Sequence, residues 1–122
     1  MKARELIERV RRLEESSYSD EQMLEWLSDL DGRVWNELME THEGAPEESF
    51  EGHTTGESEL LIPWPYGREI YEAAMLAKIA EHNGETERYN QQAALFNARY
   101  AAYENQYNRT HLPAGYGAAF RL

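Results

Sequence analysis

Cysteine is absent from the 122-residue sequence, which excludes a disulfide framework, a thiolate metal site and a thiol nucleophile. Long apolar runs are absent as well, and none approaches the ~20 residues needed to cross a bilayer. The N-terminal Met1-Lys2-Ala3-Arg4-Glu5 enters a charged helical pattern at once, without the apolar region of a signal peptide. Together these absences lead us to expect a soluble chain made in a cytoplasm. Basic side chains are scarce, with 12 Lys+Arg against 23 Asp+Glu and a formal net charge of −11. Phosphate and anionic-lipid binding draw their affinity from basic groups, so neither specific nucleic-acid binding nor membrane anchoring is expected.

Catalytic patterns are missing too. The four histidines, His42, His53, His82 and His111, form neither HxxxH nor HExxH, the spacings that put two ligands on one helical face. His42 with Glu43, or His53 with Glu57, would have to meet a metal across a loop, and solvated loop residues are the simpler reading. Glu14-Glu15 and Glu47-Glu48 read as surface pairs, not as two carboxylates in unlike environments of a cleft. No nucleophile elbow and no phosphate-cradling glycine pattern occurs. The expectation is a protein that is not an enzyme and holds no metal or cofactor.

What the sequence does contain is helical period. Leu6, Ile7, Val10 and Leu13 share one face of a short amphipathic helix over about 3–15. Ser19, three residues before Gln22, is a capping-box start for a helix over about 20–41, whose apolar stripe includes Trp26 and Trp35. Gly32 lies inside it. A third helix is expected over about 66–82, with Tyr66, Ile70, Ala73, Ala74, Ala77 and either Met75 or Ile79 inward, and Asn83-Gly84 as its stop. The fourth, about 85–108, carries Tyr89, Ala93, Phe96, Tyr100, Tyr103 and Tyr107 as a heptad seam about 36 Å long at 1.5 Å per residue. Helices three and four then form an antiparallel hairpin.

Between helices two and three the pattern lapses. Residues 43–59 read as a solvated acidic loop, and residues 40–59 hold 7 acidic side chains and no basic one. Leu60-Leu61-Ile62, closed by Pro63-Trp64-Pro65, reads as a short strand or extended anchor. The fold expected is mainly α: a small helical bundle with a long C-terminal helical hairpin, an acidic loop and an extended C-terminal tail. Residues 1–109 form one helical domain, with the acidic loop and extended segment at 43–65, and residues 110–122 form the tail. That tail has no period yet carries Leu112, Tyr116, Phe120 and Leu122, as apolar segments that dock on something else do. We therefore take Tyr107, Arg109, Leu112, Tyr116, Phe120 and Leu122, with Glu47, Glu48 and Glu51 of the loop, as candidate protein-contact residues.

The order of these signals resembles the small head–tail connector (adaptor) proteins of long-tailed bacteriophages. The residues that carry the resemblance are Trp26-Leu27-Ser28-Asp29-Leu30-Asp31-Gly32-Arg33-Val34 and Thr41-His42-Glu43-Gly44. After the acidic loop come Glu59-Leu60-Leu61-Ile62-Pro63-Trp64-Pro65-Tyr66, then Glu87-Arg88-Tyr89-Asn90 through Phe96-Asn97 to Tyr107-Asn108-Arg109-Thr110-His111. The resemblance implies a protomer of a homo-oligomeric ring, usually of twelve, in the virion neck. Its partners would be the portal protein and the tail-side neck or terminator proteins, with DNA passing through unbound. It implies no catalytic residue. The residues alone leave a rival open: an acidic helical inhibitor or regulator, antitoxin-like or a DNA mimic, whose working face would be the loop.

Overall fold

The computed structural model describes residues 1–42 and 50–111. The chain runs through α1 (Ala3–Leu13), α2 (Asp20–Val34), a π-helical turn (Trp35–Met39), α3 (Tyr66–His82) and α4 (Thr86–Thr110). No strand occurs among the described residues, where Lys2 and Glu59 form an isolated antiparallel bridge. The expected mainly helical fold with a C-terminal hairpin is the one observed, and α3 against α4 is its most extensive packing.

Each helix follows from its sequence. Ala3, Leu6, Ile7 and Val10 fall at helical spacing on one face of α1, and all four are buried. The expected extension to residue 15 does not form: α1 ends at Leu13, whose side chain is exposed rather than inward. Ser19 Oγ accepts a hydrogen bond from the Gln22 amide at 3.1 Å, so α2 starts at its cap. The expected single helix over 20–41 is instead an α-helix that widens into a π turn. The widened turn changes the helical phase while Trp35, Leu38 and Met39 all stay inside.

α3 is the central element, with Ile70, Tyr71, Ala73, Met75, Ala77, Ile79 and Ala80 buried around much of its circumference. A helix apolar on most sides is one enclosed by its neighbours. At its end Gly84 takes φ +73°, the left-handed conformation that turns the chain into α4. The tyrosine seam of α4 is buried only toward its C-terminus, at Tyr103 and Tyr107. Phe96 and Tyr100 are half-buried and Tyr89 is exposed.

The largest departure lies in residues 50–59, expected to be solvated loop. The free amides of the first turn of α1 need acceptors, and this segment supplies them. Ala3 N–H donates to the Ser58 carbonyl at 2.9 Å and Arg4 N–H to the Gly56 carbonyl at 2.8 Å. Glu57 joins the same contact, accepting from Lys2 Nζ at 2.8 Å and Arg4 Nε at 2.7 Å. These hydrogen bonds and charges, Lys2 and Arg4 together, hold the Glu57 carboxyl below its ordinary value. A depressed carboxylate stabilises the fold above its unfolded-state value, and that contribution fades as pH falls through the lower, folded value. Glu57→Gln is therefore expected to flatten the acid limb of a melting-temperature profile between about pH 3 and 6. An unchanged limb would show that the tether is carried by the backbone bonds alone.

Gly32 gives a second expectation. A Cβ built there meets nothing within 4 Å, so Gly32→Ala is expected to stabilise α2 by up to about 1 kcal/mol in a urea titration. A loss instead would mean that the backbone of α2 needs the freedom of glycine ahead of the π turn.

Candidate protein-docking surface

The polar centre of the molecule is Asp31, a fully buried carboxylate in the middle of α2. Its Oδ2 accepts from His53 Nε2 at 2.6 Å and from the Leu61 amide at 3.0 Å, and its Oδ1 accepts from the Tyr71 hydroxyl. That hydroxyl in turn accepts from the Ile62 amide at 2.8 Å. Burial, with the adjacent Asp31 charge, pushes the Tyr71 phenol well above its ordinary value, so it stays a donor. His53 is fixed at its backbone too, where its N–H donates to Ser28 Oγ at 2.9 Å. Its ring meets Phe50 edge-on, with centroids 5.0 Å apart.

A carboxylate, an imidazole and a phenol in one cluster could transfer protons in a cleft, but here the three side chains are buried. The Asp31 and His53 side chains are 0% and 3% exposed. Their effect is positional. Three donors from residues 53–71 converge on one carboxylate, which pins the segment leading into α3 against α2. Among the described residues no group of three or more His, Asp or Glu is placed to hold a metal ion. No described helix is long and apolar enough to cross a membrane.

The pinned segment presents a tryptophan. Leu60 N–H donates to the Met1 carbonyl at 3.0 Å, and Gly67 N–H to the Pro63 carbonyl at 2.9 Å. With Leu61 and Ile62 tied to Asp31 and Tyr71, both ends of the Pro63-Trp64-Pro65 turn are fixed. At its apex Trp64 is 76% exposed, the most exposed of the large apolar side chains described. Beside it lies a shallow depression walled by Tyr66, Tyr103, Tyr107 and His111, with no Asp, Glu, Lys or Arg among the described residues that line it. An exposed, rigidly held tryptophan beside an uncharged aromatic surface has the composition of an interface centre.

The contact residues expected from sequence fall in different places. Tyr107 is buried within its own chain, stacked on His111 with centroids 3.9 Å apart and edge-on to His42 at 5.2 Å. Burial raises its phenol above the ordinary value. Arg109 and Glu51 are exposed. Leu112, Tyr116, Phe120, Leu122, Glu47 and Glu48 lie outside the described residues. The histidine reading needs correction: His42 and His53 are buried, not solvated. The His42 ring spans the bundle, its Nδ1 donating to the Leu38 carbonyl while Nε2 faces the Asn108 side-chain amide at 2.7 Å.

Two features escaped sequence reasoning. Asp31 stands four residues after Leu27 and three before Val34, a charge in the inward phase of an apolar stripe, and that was the available signal. His53 had none, because its place depends on a fold-back of the chain. Higher on α4, the Tyr100 hydroxyl is buried with no hydrogen-bond partner among the described residues. Burial, reinforced by Glu104, pushes its phenol up to about 12. No family model matches the chain, and comparisons with curated proteins and with solved structures find no match.

Proposed function

We propose that this protein is a non-enzymatic structural adaptor, a head–tail connector of a long-tailed bacteriophage that assembles as a ring between the portal and tail-side proteins. The observation that carries the binding role is Trp64, held outward on a pinned turn while the polar cluster beneath is sealed from solvent. Such an arrangement serves a surface that other proteins meet, since the ordering cost of the turn is met in folding rather than in binding. The connector assignment rests on the ordered blocks from Trp26 to His111 that resemble that family. The net charge of −11 suits a channel wall that repels passing DNA.

The rival reading, an acidic inhibitor, needs its acidic segment free. In the structure Glu57 pairs with Lys2 and Arg4, and Glu59 pairs with the N-terminal ammonium at 3.0 Å, so part of that charge is engaged within the chain. The deciding experiment is negative-stain microscopy of the purified protein, alone and mixed with the portal protein of the same virus. Closed rings, or a collar of added density on the portal, are expected. A chain that neither closes into rings nor binds the portal would sink the connector reading.

A further inference from the structure

The molecule carries a second apolar feature, at the other end of the hairpin. Between α2 and the N-terminal half of α4, above α3, runs a groove of about 310 Å³. Small side chains, Ala74, Ala77 and Ala93, leave its floor open, while Trp26, Tyr89 and Phe96 wall it. That volume is at the lower end of the roughly 300–1,000 Å³ spanned by sites for small ring-bearing ligands, a scale suited to one indole. Trp64 precedes the start of α3, whereas Ala77 lies eleven residues into it, about 16 Å along the axis at 1.5 Å per residue. A turn anchored at the first end cannot reach a groove at the second within one molecule.

From these positions we infer that the groove receives Trp64 of a second copy of this chain, in a head-to-tail contact. Charge favours the pairing. Two chains of net charge −11 repel over most of their surface, but residues 60–122 carry 6 basic and 6 acidic side chains and are neutral. Among the described residues no Asp, Glu, Lys or Arg lines the depression beside Trp64, and the groove balances Asp29 and Glu81 against Arg33 and Lys78. Exposed Arg68 and Glu69, just beyond the Trp64 turn, offer each sign a partner on that rim. Neither patch carries a net charge in its own described lining, so like-charge repulsion does not act directly between them.

Area sets the strength. An aromatic side chain buries ~150–250 Å², well below the ~800 Å² per partner of a standard interface. One such contact is weak on its own. A knob and a groove at opposite ends form a heterologous interface, which lets every copy make two contacts when the chain of copies closes into a ring. The inference rests on the self-assembly in the connector reading and adds the residues that would make it.

The test is sedimentation velocity of the full chain across concentration, comparing wild type, Trp64→Ala and Ala93→Trp. The first variant removes the knob from an exposed site, and the second fills the groove from a half-buried one. Circular dichroism reports whether each still folds. Each variant is expected to weaken association by at least about 30-fold, the scale of an interface hot spot. Mixed together they should form a one-to-one pair and nothing larger, because one intact knob and one intact groove remain.

Rings that form unchanged in Trp64→Ala would overturn the inference while leaving self-assembly intact. A mixture that shows no pairing even at concentrations far above those at which wild type closes into rings would overturn it too. Wild type that is monomeric at every concentration overturns it as well, and the portal-binding experiment then decides the connector reading separately.

Discussion

Asp31→Ala is expected to remove about 3–5 kcal/mol of stability, the range seen when one member of a buried, hydrogen-bonded charge cluster is deleted. The reason is accounting of donors, not loss of packing. His53 Nε2, the Leu61 amide and the Tyr71 hydroxyl all donate to this carboxylate, and water does not reach the site. Each donor left unsatisfied costs ~1–3 kcal/mol, against a total stability of ~5–15 kcal/mol for a domain. Asp31→Asn should recover little, because its amide group would turn a donor toward donors. Urea unfolding measures the loss. Hydrogen exchange should also show Leu61 and Ile62 amides opening before α3 and α4. A loss under about 1 kcal/mol would mean that the donors find other partners and the cluster pins nothing.

That cluster also shows where the sequence was legible. α3 was expected over about 66–82 and spans Tyr66–His82, because Pro65 and Asn83-Gly84 mark both ends and tertiary packing agrees with the local signals. The cap at Ser19 was readable for the same reason. Residues 50–59 were not, because glycines and acids give no period, and the segment's partners, Lys2, Arg4 and Ser28, lie 25 or more residues away. Contacts of that separation leave no local trace in the chain.

Trp64 is the instructive case. Pro63 and Pro65 lack backbone N–H donors, so the turn joins no ladder and a tryptophan between them has no regular element to bury it. That argument is available in the sequence, but apolar groups and charge are more conspicuous in the tail and the acidic loop. The seam of α4 misled in the opposite way. Its heptad spacing is regular throughout, but spacing alone does not say how far the partner helices extend. Only the end near Tyr103 and Tyr107 is fully buried, and the half-buried Phe96 and exposed Tyr89 form a wall of the groove.

Gly67→Ala should be the most damaging change near the docking surface, at about 3 kcal/mol or more, the upper part of the range for overpacking. A Cβ at this position would sit 2.2 Å from the Ile62 carbonyl oxygen and 3.1 Å from its carbon. Both are backbone atoms of the segment that Asp31 and Tyr71 hold, so no flexible side chain can yield. Either the first turn of α3 opens, losing the Gly67 amide bond to Pro63, or the segment moves and strains the Leu61 and Ile62 bonds. Gly32→Ala, with open space around its Cβ, is the matched control. Thermal and urea unfolding of the two variants should therefore diverge in sign. Tryptophan accessibility supplies a second readout, since a displaced turn changes the quenching of Trp64 by acrylamide while Trp26 and Trp35 stay buried. If Gly67→Ala costs under about 1 kcal/mol, the segment shifts cheaply and Trp64 is not held ready for a partner. In that case the inter-copy contact would have to order the turn as it forms, and a knob of one side chain supplies too little area for that.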